Sequence, residues 1–303
     1  MQTSPIRILL TGKNGQIGWE LAREMAGLAK AAAIGRDEMD LSSADSIRAA
    51  IRDAKPDIII NAAAYTAVDK AESEPDIAMA VNGVAPGIIA EEAKKVGAIL
   101  VHYSTDYVFD GTKKSAYTED DTPNPLNVYG ATKLAGEKAV LASGCGGVIL
   151  RTSWVYAARG GNFVRTMLRL AGEREELKIV SDQRGAPTWA RMIAKATTRI
   201  VTGFQRELTH PARMFHLTAA GETSWCGFAQ RIFEHGSRLG LINLAPRVIP
   251  VSTADYKTPA RRPLNSAMAC GRIHDAFGVT PPDWEDSLKL CMAELAAGNP
   301  GKP

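Results

Sequence analysis

The sequence is short of several things that would announce a function. Its 303 residues hold only four cysteines, Cys145, Cys226, Cys270 and Cys291, far apart and without a C-x-x-C pair. Neither a zinc ribbon nor a disulfide framework is expected, and reduced thiols fit best. No apolar run approaches the roughly 18 to 20 residues a membrane helix needs. The first residues, MQTSPIRILLTGKNGQIG, show no charged region followed by an apolar core and a small-residue cleavage site. A cytoplasmic protein with no membrane partner is the expectation. Net charge is only +3, with no run of five basic residues, which excludes a nucleic-acid partner as the leading idea while leaving room for a small anionic ligand. His102, His210, His216, His235 and His274 show no metal spacing.

What is present is an alternation. Short β-branched runs at 6–11, 31–35, 57–61, 98–104 and 147–152 are separated by helical patterns at 43–53, 76–96 and 127–142, and Ile17, Leu21, Met25 and Leu28 recur at helical spacing after the first run. This is the pattern of an α/β chain: a Rossmann-type doubly wound parallel sheet covered by helices on both faces. Beyond Thr152 the rhythm breaks at Gly160, Gly161, Pro211, 246–263 and Pro281-Pro282. Residues 1–152 are therefore read as the dinucleotide-binding domain. A smaller C-terminal substrate-binding lobe takes 153–177 and 221–303, while 178–220, with strand-like 178–181, helix-like 188–201 and strand-like 214–218, is expected to return to the first domain. The tail GNPGKP is read as frayed.

Between the first strand and the first helix lies Gly12-Lys13-Asn14-Gly15-Gln16-Ile17-Gly18. Glycines there permit a tight turn and let backbone N–H groups approach a pyrophosphate at the positive end of a helix. The spacing is G-x-x-G-x-x-G, the variant associated with short-chain dehydrogenases. At the end of the second strand an NAD-preferring site would place a carboxylate, and this chain has Gly35-Arg36, although Asp37 follows. A guanidinium pairs with a 2′-phosphate, so NADPH is expected, with NADH as an accepted alternative. Asp40 and Leu41 then fall where adenine would rest, and Ala62, Ala63 and Ala64 leave room for the dinucleotide or for a close helix contact.

Tyr129 and Lys133 lie four residues apart on one predicted helix and face the same way. A tyrosine is a poor acid or base near neutrality unless a cation stabilises its phenolate, which Lys133 can do. Lys133 can also hydrogen-bond the nicotinamide ribose, so Tyr129 and Lys133 are both expected at the cofactor as well. The fourth strand ends in His102-Tyr103-Ser104-Thr105-Asp106, so Thr105, with Ser104 in competition, can polarise a substrate carbonyl beside Tyr129. Trp154, just past the fifth strand, can wall a sugar pocket or belong to the core. Arg184, Arg261 and Arg262 can meet a diphosphate or simply face solvent.

These segments, GKNGQIGWEL, INAAAYTAVDKAESEP, VHYSTDYVFDGT, PLNVYGATKLAGEKA, RTSWVYA, NFVRTMLRLA, DQRGAPT and TPARRPLNS, closely resemble the dTDP-4-dehydrorhamnose reductase family across nearly the whole chain. The resemblance implies an NADPH-dependent oxidoreductase with Thr105, Tyr129 and Lys133 catalytic. It implies Gly15, Gln16, Ile17, Asp40, Leu41, Ala64, Tyr65, Thr66 and Tyr103 at the cofactor, and Thr105, Asp106 and Trp154 at a nucleotide-diphosphate-sugar. Some family members are dimers with magnesium between acidic side chains. Glu20 and Glu294 look like two of those carboxylates, but Arg191 stands at the third position and is expected to pair with them, so no metal is expected and monomer and homodimer stay open. Two other readings remain: a nucleotide-sugar epimerase or dehydratase, and a non-catalytic NADP-binding regulatory subunit like the β-subunit of methionine adenosyltransferase, which resembles the same family.

Overall fold

The computed structural model describes residues 6–27, 30–203 and 207–298. Leu28 and the tail from Asn299 onward, both subjects of the reading above, lie outside them. The first half runs β1 (Arg7–Thr11), α1 (Gln16–Glu24), β2 (Lys30–Ile34), α2 (Ala44–Ala54), β3 (Ile58–Asn61), α3 (Val68–Ala71), α4 (Pro75–Met79), α5 (Ala85–Val96), β4 (Ile99–Thr105), α6 (Val128–Ser143) and β5 (Gly147–Thr152). The rest runs β6 (Val155–Tyr156), α7 (Phe163–Ala171), β7 (Glu176–Val180), β8 (Arg184–Gly185), β9 (Thr188–Trp189), α8 (Ala190–Gly203), β10 (Arg213–His216), β11 (Thr223–Ser224), α9 (Trp225–Arg238), β12 (Arg247–Val251), α10 (Gly271–Phe277) and α11 (Trp284–Ala296).

Six strands form one parallel sheet in the order β10-β5-β4-β3-β1-β2. Its strands read as continuous apolar runs because both faces are covered. Ile8, Leu10, Ile60, Val101 and Leu150 point into one core, and their alternating neighbours Leu9, Ile59, Leu100 and Ile149 point into the other. The second core is closed by Ile47 and Ile51 of α2 and by Ile89, Ala90 and Ala93 of α5. The first continues through Leu21 of α1 and Ile193 and Ile200 of α8 to Phe228, Trp284 and Leu288, without a break between the sheet and the elements that follow it.

The chain leaves β1 for β2 on one side and returns to β3 on the other. The crevice beyond the carboxyl ends of β1 and β3 is thus the topological switch point where such sheets bind ligands. Hydrogen bonds run across those strand ends: Thr11 Oγ1 donates to Asn61 Oδ1 at 2.8 Å, and Asn61 Nδ2 meets His102 Nδ1 at 3.2 Å.

Two local readings need correcting. The strand at 178–181 does not join the large sheet: β7 pairs in parallel with β12 in a separate two-stranded sheet, Lys178 opposite Ile249. The helix and strand after it do pack there, α8 against α1 and β10 along the edge of β5. The helix read over 76–96 is interrupted by a π turn, Ala80–Val84. Pro86 cannot donate to the carbonyl of Asn82, and the wider turn absorbs that loss while aiming Asn82 inward, where its side chain bonds Tyr65 N and O at 2.9 Å each.

Arg191 of α8 bridges Glu20 of α1, at 2.9 and 3.2 Å, and Glu294 of α11, at 2.5 Å. Among the described residues no group of three or more His, Cys, Asp or Glu is arranged to hold a metal ion, and no helix is long and apolar enough to cross a membrane.

Candidate active site

A cleft of about 990 Å³ opens over the carboxyl edge of the sheet. At one end lies the glycine-rich turn. Gly12 adopts φ +75°, and a Cβ there would lie 2.8 Å from the backbone nitrogen of Ala63, so the turn can press onto the loop after β3 only as glycine. Gly15 is the N-cap of α1, and no side chain caps that helix end. The first N–H groups of α1 are therefore left for an anion, where the helix dipole favours negative charge. Gly18 has a different task from the one expected. It does not line the cleft, and a Cβ on it would sit 2.1 Å from Gly12 O, so it is the packing contact beneath the turn.

The cleft then passes Arg36, Asp40 and Leu41. Glu38, whose charge would oppose a phosphate, is folded back: it accepts from Gly35 N at 2.6 Å and from Lys13 Nζ at 2.7 Å, which hold its carboxyl below the usual range. Asp40 is occupied by Ser42 N and Oγ at 2.9 and 2.7 Å, and stands 3.9 Å from the exposed Arg36. Ala62, Ala63, Ala64, Tyr65 and Thr66 form the neighbouring wall.

Thr105, Tyr129 and Lys133 line the same cleft. Asn127 caps α6 through Gly130 N at 2.8 Å, which starts the helix so that Tyr129 and Lys133 both face the cleft. Gly130 is glycine because a Cβ would fall 2.1 Å from Tyr107 O. Burial pushes the Tyr129 phenol up to about 12, with the Thr105 hydroxyl pulling the other way. Burial also lowers the Lys133 ammonium to about 8, against Glu137 one turn on. Lys133 Nζ donates to Tyr103 O at 2.6 Å, which fixes its direction and leaves further N–H donors. Glu137 is itself buried in a bidentate pair with Arg151, at 2.8 and 2.7 Å.

Both strand-end hydroxyls line the cleft; that of Thr105 lies in reach of Tyr129, while among the described residues the buried Ser104 Oγ has no hydrogen-bond partner. Thr105 Oγ1 donates to Asp106 Oδ1 at 2.9 Å and accepts from Tyr107 N at 3.2 Å. Its one proton is thus held by Asp106, whose carboxyl burial pushes up to about 6. Tyr103 lines the cleft, but its hydroxyl is turned to Thr197 at 2.6 Å.

A family model for the RmlD substrate binding domain matches residues 6–297. The chain is 50% identical over 295 residues to a dTDP-4-dehydrorhamnose reductase of Burkholderia thailandensis, covering 96% of this chain and 99% of the relative. The chain belongs to the dTDP-4-dehydrorhamnose reductase family. Two solved dTDP-4-dehydrorhamnose reductases share its fold with a TM-score of 0.88, one from Clostridium acetobutylicum at 36% identity and one from Bacillus anthracis, in complex with NADP, at 34%. Each alignment covers 96% of this chain and 99% of the other.

The reductase fold also shows which expected residues stay away from the cleft. Arg184 pairs with Glu222, Arg262 pairs with Asp69 at 2.7 Å, and neither they nor Arg261 line it. Trp154 does line it, with φ +47°, a strained conformation for a tryptophan. The ring is over-determined by its neighbours. It stacks on Trp225 with centroids 3.7 Å apart and planes 7° from parallel, and a Cβ on Gly185 would come within 2.6 Å of it. Trp225, at the start of α9, was not picked out from the sequence, where a lone tryptophan gives no sign of its partner. Gln16 is tied to Asn162, Nδ2 to Oε1 at 3.0 Å, another contact no spacing reveals.

Proposed function

We propose that this chain reduces the 4-keto group of dTDP-4-dehydro-L-rhamnose with NADPH, giving dTDP-L-rhamnose. One observation carries the reading: Thr105, Tyr129 and Lys133 line the same cleft as an uncapped helix N-terminus behind a glycine-rich turn. The residues fit the dinucleotide, since Gly12 supplies a close backbone approach that a side chain would fill. Gly12, Gly15, Gln16 and Ile17 would hold its diphosphate, Arg36 its 2′-phosphate, and Tyr103 and Lys133 the end nearest the chemistry. When bound, NADPH supplies the hydride. Tyr129 gives its proton to the oxygen of the reacting carbonyl, and it is fully protonated at neutral pH because its pKa lies so high. Lys133 offsets the negative charge left on the phenol. Thr105 holds the same oxygen once its proton is released from Asp106. Trp154 and Asp106 wall the sugar.

The decisive experiment follows nicotinamide absorbance with dTDP-4-keto-L-rhamnose generated in place. Stoichiometric consumption of NADPH supports the reduction. Turnover of a nucleotide-sugar without net consumption would instead mark an epimerase or dehydratase, and binding without turnover a regulatory subunit.

Arg36→Ala is expected to raise the Kd of NADPH about tenfold and leave NADH unchanged, because only the first offers a phosphate to the guanidinium. Isothermal titration with each cofactor measures the difference. The site works without a metal in this reading: Glu20 and Glu294 are already paired with the guanidiniums of Arg191 and, at Glu294, Arg23. A chelator is expected to leave the rate unchanged, and full loss with recovery on adding magnesium would refute this.

A further inference from the structure

A dinucleotide diphosphate brings two negative charges, more than the half charge or so of a helix terminus balances. The glycine-rich turn has one lysine, Lys13, but it is paired with Glu38 at 2.7 Å and does not line the cleft. Four cations do line it: Arg36, Lys70, Lys133 and Arg159. Lys70 is paired with Glu74 at 2.7 Å, Lys133 is directed to Tyr103 O, and Arg36 lies by Asp40. Among the described residues Arg159 alone of the four has no such partner.

Its position follows from one contact of the guanidinium and from the way its loop is held. The guanidinium lies over the ring of Trp19, 4.6 Å from the centroid. Trp19 is the fourth residue of α1, and helical side chains lean toward the N-terminus and cover the turn before them. The ring that carries Arg159 thus leans toward the end of α1 that opens at Gly15. The loop bearing Arg159 is held to the same end by Asn162, whose Nδ2 meets Gln16 Oε1 at 3.0 Å and Arg159 O at 3.0 Å. Gly160, at φ +69°, lies beside Gln16, where a Cβ would make an ordinary contact with Gln16 Cγ at 3.6 Å.

We propose that Arg159 binds the diphosphate of the nicotinamide cofactor, adding a guanidinium to the backbone N–H groups at the start of α1. The inference rests on the NADPH reading above and extends it to a residue outside the sheet. Because NADPH and NADH share the diphosphate, the contact does not discriminate between them, which sets it apart from Arg36.

The test is a titration of cofactor-free protein with NADPH and with NADH, following nicotinamide fluorescence, and with dTDP by calorimetry. Arg159→Ala is expected to raise both dinucleotide Kd values by a similar factor of about ten, with a shallower dependence on salt and an unchanged Kd for dTDP. Arg159→Lys should recover part of the loss, keeping the charge without the fork. The side chain has no ion pair to lose, so circular dichroism and Tm serve as the folding control. Unchanged dinucleotide affinity, a loss confined to NADPH, or a loss of dTDP affinity alone would each overturn the assignment. Wild-type protein that binds neither dinucleotide would instead defeat the NADPH reading, and this inference with it.

Discussion

Tyr129→Phe is expected to lower kcat for NADPH oxidation by about a hundred- to ten-thousandfold, the usual worth of a positioned general acid. The change removes one oxygen at the cleft floor. That hydroxyl is in reach of Thr105 but makes no contact that holds α6 in place, so the fold and NADPH affinity should survive. A steady-state assay beside a fluorescence titration separates the two effects. The wild-type phenol has its pKa raised to about 12 by burial, so it stays loaded with its proton through the whole neutral range. A decline of rate between pH 7 and 9 therefore cannot come from Tyr129 in the free enzyme. A variant within tenfold of wild type would move the acid role elsewhere.

Lys133→Met carries the second large effect, and it separates activity from stability. Loss of the cation that lines the cleft with the phenol is expected to cost about a hundredfold or more in kcat, the scale seen when a preorganised electrostatic partner is removed. Stability should move the other way. Burial lowers the Lys133 pKa from 10.5 to about 8, so between those values the unfolded chain binds more protons than the folded one. By linkage, the stability contributed by this group rises with pH across that window and is least below it, where the folded protein must keep a buried charge. The methionine variant has no such group, so its Tm relative to wild type should be highest near pH 7 and converge above pH 10. In the wild type, kcat/KM should fall as pH passes about 8, since that parameter reports groups of the free enzyme. A variant that is both inactive and much less stable at pH 7 would show that Lys133 holds the structure together through Tyr103 O.

The large sheet was legible because its strands are buried on both faces, so apolar runs such as Ile58–Asn61 and Ile99–Thr105 stand out between helical periods. The run at 178–181 looked the same locally, yet its partner is β12, some seventy residues away, and no local pattern fixes a partner. The π turn went unread because Pro86 signals only a broken hydrogen bond, not how the helix accommodates it. Among site residues, Tyr129 and Lys133 could be paired because a helix converts spacing into a shared face. Gly18 was misplaced because spacing does not distinguish a glycine that meets a ligand from one that packs under another glycine. Arg262 was left open because its carboxylate partner, Asp69, is 193 residues distant. Trp225 and Arg159 have significance only through neighbours that the fold supplies.

The apolar core that runs unbroken from Leu10 and Leu150 through α8 to Phe228 and Trp284 has a consequence for how such a protein can diversify. Between the small sheets the chain returns to the large one, for α8 and β10, before leaving again. Cofactor-facing and sugar-facing elements are thus not interchangeable modules, and a graft of one onto a foreign partner would cut through shared packing at several points. New substrate preferences are reached more readily by exchanging individual side chains on the cleft wall, with the scaffold kept whole.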